Sequence, residues 1–234
     1  MSGTIQNRAP VWRQSRGSYG SNYWEFYSPK LNRVVSFYSD LERDHGILVE
    51  ADPSIVWFCE QPIRVNVKID GHDRETILDM LVRFKDGREE YREVKYARDL
   101  ENIEKDSQLA RQLEAQLTWC VVTANQYRVV TDEEIRHNPL YLQNWKRIVA
   151  HLAATSSFHF LDLEERVFAA LRTQPVWSLG DLERYCDSTA SQLARAAIFR
   201  LIHRSELEAP LDKVSLTTSL ILRRHTDDTT HHAA

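Results

Sequence analysis

Cysteine is scarce in this chain: Cys59, Cys120 and Cys186 are the only three in 234 residues. So odd and sparse a set provides neither a disulfide framework nor a CxxC zinc knuckle, and it fits a reducing compartment. Glycine and proline number seven each, too few for collagen-like, linker-like or low-complexity material. No apolar run approaches the roughly 18 residues of a membrane span. The first twenty residues have no apolar core, so they do not read as a secretory signal, and a cytoplasmic protein without membrane contact is expected. Nine histidines are scattered with no HExxH among them. GxxxxGK[ST], GxGxxG and GxSxG are also missing, which leaves nucleotide cradles, dinucleotide folds and a serine elbow unsupported.

What is present suits a globular protein. Hydrophobic residues make up 42% and charged residues 27%, with six Trp, nine Tyr and eight Phe. That is too much apolar material for a disordered chain, and the length allows one large domain or two small ones. The net charge of −4 hides an asymmetry. Residues 1–33 form a basic arm with Arg8, Arg13, Arg16, Lys30 and Arg33 against Glu25 alone. Residues 36–160 carry 16 basic and 22 acidic groups. A basic arm before an acidic body can reach a phosphate backbone, or it can be a solvated terminus.

Periodicity divides the chain in two. Val35, Tyr38, Leu41, His45 and Leu48 recur at helical spacing, predicting a helix over 34–50 that Asp52-Pro53 ends. Three strands are predicted next, over 56–69 with a break at Pro62, over 76–84 and over 91–96. Asp70-Gly71 and Asp86-Gly87 serve as hairpin turns between them. A long helix over 99–118, a buried fourth strand over 119–123 and a helix over 138–153 complete a first domain at 34–157. This order predicts an α/β fold, a mixed sheet flanked by helices. After a short polar linker, helices over 161–172, 179–186 and 189–204 precede an alternating stretch, 206–222. Three helices and a hairpin predict a winged-helix domain at 158–224, and 225–234 reads as a flexible tail.

The chemistry concentrates in one constellation. Asp79 interrupts the apolar run Ile77-Leu78-Asp79-Met80-Leu81-Val82, where a carboxylate needs a partner. Tyr91-Arg92-Glu93-Val94-Lys95-Tyr96 follows, and strand alternation puts Glu93 and Lys95 on one face. A hairpin at Asp86-Gly87 sets the two strands side by side. One carboxylate on each can hold a hard divalent cation, magnesium above all, with waters and a substrate phosphate filling its shell. Lys95 beside it can lower the pKa of a bound water or stabilise charge on the phosphate. Glu42, on the first helix, supplies a third acid. The arrangement has the PD-(D/E)xK nuclease form; a salt-bridged strand face is the bland alternative.

Several runs then resemble one family. They are Ser39-Asp-Leu-Glu-Arg-Asp44, Leu48-Val-Glu-Ala-Asp-Pro53, Trp57-Phe-Cys-Glu-Gln-Pro62, Leu78-Asp-Met-Leu-Val-Arg-Phe84 and Glu93-Val-Lys95. Together, from about Arg33 to Val122, they look like the TnsA-type endonucleases of heteromeric bacterial transposases. The resemblance implies a restriction-endonuclease-like domain followed by a winged helix, with Glu42, Asp79, Glu93 and Lys95 on the catalytic positions. It implies magnesium, with manganese as substitute, held by Asp79, Glu93 and Glu42. It implies cutting of the non-transferred 5′ strands at transposon ends. The implied partners are transposon-end DNA, a TnsB-type DDE recombinase and a TnsC-type AAA+ ATPase linked to a targeting module, in some elements a guide-RNA complex. One departure is that Leu78-Asp79-Met80 stands where the family usually has Pro-Asp-Phe.

Other residues leave two readings open. Gln61 can contact the backbone near a scissile phosphate or simply end a strand before Pro62. Trp57, Trp119, Trp145 and Trp177 read as core. Trp12 and Trp24 can stack on bases, dock a partner or pack on the domain. In the last helix, Leu193, Ala194, Ala197, Ile198 and Leu201 form an apolar face flanked by Arg195, Arg200 and Arg204, with Phe199 opposite. That helix can read DNA or meet a protein. Two other functions stay in play: a stand-alone restriction or repair nuclease, and a winged-helix regulator with a decayed nuclease domain.

Overall fold

The computed structural model describes residues 9–11, 22–69, 71–104, 107–187 and 189–225. The chain divides into two compact units, 1–139 and 140–234. The break comes earlier than the polar linker near 157. The helix over 138–153 therefore falls in the second unit, because its residues pack there: Asn144 donates to the Leu211 and Val214 carbonyls at 2.8 Å.

The first unit opens with an antiparallel hairpin, β1 (Trp24–Ser28) and β2 (Arg33–Phe37). Part of the basic arm is thus folded, and 34–37 is strand rather than helix. The β-branched pair Val34-Val35 alternates outward and inward, a strand habit that the 3–4 spacing masked. Helix α1 (Asp40–Ala51) starts only where the Ser39 hydroxyl accepts from the Glu42 amide. At its far end Lys30 donates to the carbonyls of Val49 and Asp52 at 2.9 and 2.7 Å. An ammonium there satisfies orphan carbonyls and opposes the negative end of the helix. Gly46 allows Phe37 to lie against α1: a Cβ at Gly46 would meet Phe37 Cε1 at 2.8 Å. Phe37 joins Val35, Val49, Ile55, Phe58, Met80 and Val82 in one buried cluster.

The main sheet has the order β3-β6-β7-β8, with β3 (Ile55–Glu60), β6 (Met80–Phe84) and β7 (Glu89–Lys95) antiparallel neighbours. Between β3 and β6 the chain forms a separate hairpin, β4 (Arg64–Ile69) with β5 (His72–Ile77). Asp79 is therefore not in mid-strand. It occupies a bend between β5 and β6, at the level where the partner strand also breaks. Gln61 there takes a positive φ of 39°, and Pro62 has no amide to continue the ladder. The gap is bridged by Gln61 N–H donating to the Asp79 carbonyl at 2.9 Å.

The connection from β7 also differs from the expected single long helix. A short α2 (Ala97–Glu101) is followed by α3 (Gln108–Val122), which starts at a Ser107 cap. Residues 119–123, expected to be a buried strand, are the end of α3, with Val121 and Val122 exposed by 69% and 79%. The fourth strand is β8 (Gln126–Thr131), parallel to β7, with Glu93 opposite Val129 and Lys95 opposite Thr131. A parallel pair needs a helical crossover, and α3 provides it. The unit closes with α4 (Asp132–Ile135) behind a Thr131–Glu134 capping box.

The second unit holds α5 (Pro139–Ala154), α6 (Leu161–Thr173), α7 (Leu179–Cys186) and α8 (Ser191–His203). A three-stranded antiparallel sheet accompanies them in the order β10-β11-β9: β9 (Val176–Ser178), β10 (Leu207–Glu208) and β11 (Ile221–Arg224). Helix α8 is buried on nearly every side. Phe199, expected to stand opposite an apolar face, is 2% exposed and meets His151 edge-on at 5.3 Å. Trp145 is buried and Trp177 half-buried. No helix among the described residues is long and apolar enough to cross a membrane.

Candidate active site

Glu42, Asp79, Glu93 and Lys95 come together although they arise from three separate places in the fold. Lys95 Nζ donates to Glu93 Oε1 at 2.5 Å, as strand alternation requires of residues two apart. Asp79 is brought across by the bend, and its Oδ2 accepts from the Val94 amide at 2.8 Å. Had β5 run straight into β6, this carboxylate would have stayed in the ladder. The break instead turns it onto the end of β7. Glu42 closes the site from the first turn of α1. Its carboxylate accepts from the Ser39 hydroxyl at 3.0 Å and the Tyr38 amide at 3.3 Å.

The electrostatics are those of crowded acids. Burial and the charge of Asp79 push Glu42 up to about 7, against the pull of Tyr38, Ser39 and Lys95. Burial and Asp79 likewise push Glu93 up to about 8, although Lys95 and Gln116 favour its charged form. Asp79 is also raised by burial, despite Lys95, the Val94 amide and a hydrogen bond with Glu93. Burial works to lower Lys95, but Asp79 and Glu93 outweigh it and raise it. Lys95 is an ammonium here. Three acids thus surround one cation, and the charge deficit suits a divalent metal better than further protons. Among the described residues no group of three or more His, Cys, Asp and Glu is close enough to enclose a metal by itself. The donor set fits a hard cation that keeps waters and takes a substrate oxygen, rather than an all-protein cage.

Sequence reasoning missed the residues that hold Glu93. Gln112 donates to its Oε1 and Gln116 to its Oε2, both at 2.8 Å. Tyr127 in turn donates to Gln116 Oε1 at 2.8 Å, which fixes the orientation of that amide. The signal was present: Gln108, Gln112 and Gln116 recur every four residues on α3 and share a face. Gln61 is buried beside the site, with its Nε2 3.4 Å from Glu42 and its Oε1 buried without a partner. Its backbone carbonyl accepts from the Val11 amide at 2.9 Å.

The remaining candidates are elsewhere. Arg8, Arg13, Arg16 and Trp12 lie outside the described residues. Trp24 packs on the domain, donating to Asp40 at 2.7 Å under the Arg43 guanidinium 4.0 Å away. In the second unit, Arg195 is bidentate on Glu183, at 2.6 and 2.9 Å. Arg200 and Arg204 share Glu164 at 3.1 and 2.8 Å. Arg195 and Arg200 of α8 and Arg204 at its C-terminal cap are therefore spent on internal ion pairs.

The first unit thus sets an acid at a strand break beside Glu-x-Lys on the neighbouring strand of a four-stranded mixed sheet. Residues 52–132 match the family model described as TnsA-like endonuclease N terminal, and this segment is similar to that family. The match contains Asp79, Glu93 and Lys95 and begins after Glu42. No curated protein matches the chain.

Proposed function

We propose that this protein is the metal-dependent DNA endonuclease subunit of a heteromeric transposase, and that it cuts the non-transferred 5′ strands at transposon ends. The convergence of Asp79, Glu93, Glu42 and Lys95 in one acid-rich pocket carries the reading, and the TnsA-like match supports it. Asp79 and Glu93 would hold magnesium, or manganese in its place, with Glu42 alongside. Once bound, the ion supplies a Lewis acid that makes water a better nucleophile and offsets phosphate charge. The chain's own residues do the rest. Lys95, held as an ammonium, stabilises charge growing on the phosphate oxygens rather than removing a proton. Gln112 and Gln116 keep the Glu93 carboxylate oriented. Glu42, pushed up to about 7, can hold or release a proton near neutral pH.

In this reading a TnsB-type DDE recombinase cuts and joins the 3′ ends, and a TnsC-type AAA+ ATPase couples both to target choice. The second unit acts as a winged helix. The order α6-β9-α7-α8-β10-β11 with a three-stranded sheet supports that assignment. The acidic body repels DNA, so partners are needed to hold the substrate.

Junction sequencing in a reaction reconstituted with the partners tests the proposal. Asp79→Ala or Lys95→Ala should abolish the 5′ cuts alone, leaving 3′ joining intact and cointegrates as products. Simple insertions at wild-type frequency would refute the catalytic assignment. Efficient sequence-specific cutting by the chain alone would favour a stand-alone nuclease.

A further inference from the structure

The groove between β5 and α3 is the feature that the catalytic constellation leaves unexplained. It encloses a cavity of about 510 Å³ whose walls include Arg74 and Thr76 from the strand and Gln108, Arg111 and Gln112 from the helix. Two of these walls belong to the site as well. Gln112 donates to Glu93, and Thr76 accepts from Gln116 at 3.2 Å while Gln116 holds the other Glu93 oxygen. The groove therefore opens directly beside the acids that define the reaction centre.

Its charge has no internal purpose. Arg74 lies opposite Val67 in the hairpin register, and Thr76 lies opposite Val65, a residue buried in the cluster with Cys120 of α3. Alternation then puts Arg74 and Thr76 on the face toward α3, with Asp73 and Glu75 on the other. Asp73 and Glu75 also line the cavity, and Glu75 is already paired with Arg64. Arg74 Nε is buried with no hydrogen-bond partner. Arg111 is exposed and makes no ion pair among the described residues. An orphaned buried guanidinium donor costs stability unless an acceptor arrives. An arginine pair in a polar groove is built for a phosphate, which guanidinium groups meet with paired donors.

Resting on the nuclease reading above, we infer that Arg74 and Arg111 clamp a backbone phosphate of the DNA strand being cut, next to the scissile one. They are positioning residues. They fix the register of the strand along α3 and thereby set which phosphate reaches Asp79, Glu93 and Lys95. The clamp reads no base, so it acts equally on every sequence.

The test uses the full chain and a fluorescent duplex in calcium, a cation expected to support binding with little cleavage. Anisotropy is measured against salt for wild type, Arg74→Met, Arg111→Ala and, as a control in the β6–β7 turn, Arg88→Ala. Each groove variant should weaken binding uniformly across sequences and reduce the log–log salt slope by about 1. The control should keep the wild-type slope. Manganese binding by calorimetry should be unchanged in every variant. Arg74→Met should melt at the same temperature as wild type or higher, since it removes an unsatisfied donor and keeps the apolar stem. Wild-type slopes in both groove variants would overturn the inference. So would a lower melting temperature for Arg74→Met accompanied by loss of manganese binding, which would make Arg74 a structural strut. If the wild-type chain binds no manganese, the nuclease reading fails first and the clamp with it.

Discussion

Acids at the candidate site are treated unlike the buried acids elsewhere in the chain, which include Glu60 on Arg33 and Asp44 on Arg43 and Arg136 in the same unit. In the second unit each buried carboxylate has its own cations: Glu183 is gripped by Arg195, and Glu164 by Arg200 and Arg204. Burial pushes Glu164 up, but the arginines win and hold it below the ordinary carboxylate range. In the first unit Glu42, Asp79 and Glu93 share a single lysine, and all three are pushed up. Satisfied acids hold a fold together, whereas under-compensated acids wait for a ligand that brings charge. The same residue type is thus structural at one place and chemical at another, and the number of cations around it decides which.

The sharpest way to break this contrast is to remove acids or cations from the first site. Asp79→Ala should lower strand cutting by at least about 10³-fold and abolish magnesium binding, as expected when a metal ligand disappears. Lys95→Ala should cut as poorly yet keep the metal, because its role is electrostatic. Calorimetry with magnesium and single-turnover cleavage separate the two variants. Equal metal affinity in Asp79→Ala and wild type would show that the crowded acids serve some other purpose.

The second unit should answer to the opposite treatment. Glu164→Ala strands Arg200 and leaves Arg204 with Glu206 alone, and should destabilise the chain by about 1–2 kcal/mol. The lower part of that range is expected, since both guanidinium groups are more than a third exposed and solvent screens them. Denaturant unfolding followed by a tryptophan signal measures it. An unchanged midpoint would mean that these pairs are surface decoration.

How much of this contrast was legible beforehand depended on the range of the interactions involved. A carboxylate in an apolar run and an acid two residues from a lysine are local signals, and they located Asp79, Glu93 and Lys95. The bend that aims Asp79 was not legible. It exists because β5 pairs with β4 while β6 pairs with β3, a switch of partners that no local pattern encodes. Residues 119–123 misled for a related reason. A short apolar run fits a buried strand or a helix end equally well, and only the exposure of Val121 and Val122 decides. The glutamine ladder lay inside the predicted helix over 99–118, but only the crossover that packs α3 beside β7 brings its amides to Glu93. On α8, the arginines read as free because Glu164 and Glu183 lie 36 and 12 residues away from their nearest paired arginine in sequence.

The contrast also predicts opposite pH behaviour. Glu42 and Glu93 have folded pKa values above their unfolded ones, so their stabilisation is complete below about 4.5 and is lost as pH rises toward 7 and 8. Glu164 is lowered, so its stabilisation is present above the unfolded value and is lost as pH falls. Metal-free protein should therefore lose stability from pH 5 to pH 8, by an amount of order 1 kcal/mol per raised acid. Magnesium should reverse the trend, because it binds the deprotonated carboxylates and releases their protons. Melting temperatures at the two pH values, with and without magnesium, give the sign directly. A metal-free protein more stable at pH 8 would contradict the crowding.

The smallest expected effect isolates one acid. Glu93→Gln keeps the shape of the side chain and removes its charge at every pH. An amide has one acceptor oxygen: it can still accept from Lys95 and Gln112, but its NH2 then meets the Gln116 donor. At pH 5 the native Glu93 is already protonated, and the variant should be the less stable by about 1 kcal/mol, the cost of the unmatched donor. At pH 8 the native side chain is half ionised in a site where ionisation is opposed by Asp79, whereas glutamine bears no such penalty. Between pH 5 and pH 8 the variant should therefore gain on wild type by about 1 kcal/mol. Magnesium should erase that advantage by stabilising wild type alone. The measurement is the difference between two melting curves at each pH. If glutamine gains nothing on wild type between pH 5 and pH 8 in the metal-free protein, Glu93 is a satisfied acid like Glu164, and the contrast fails at its central residue.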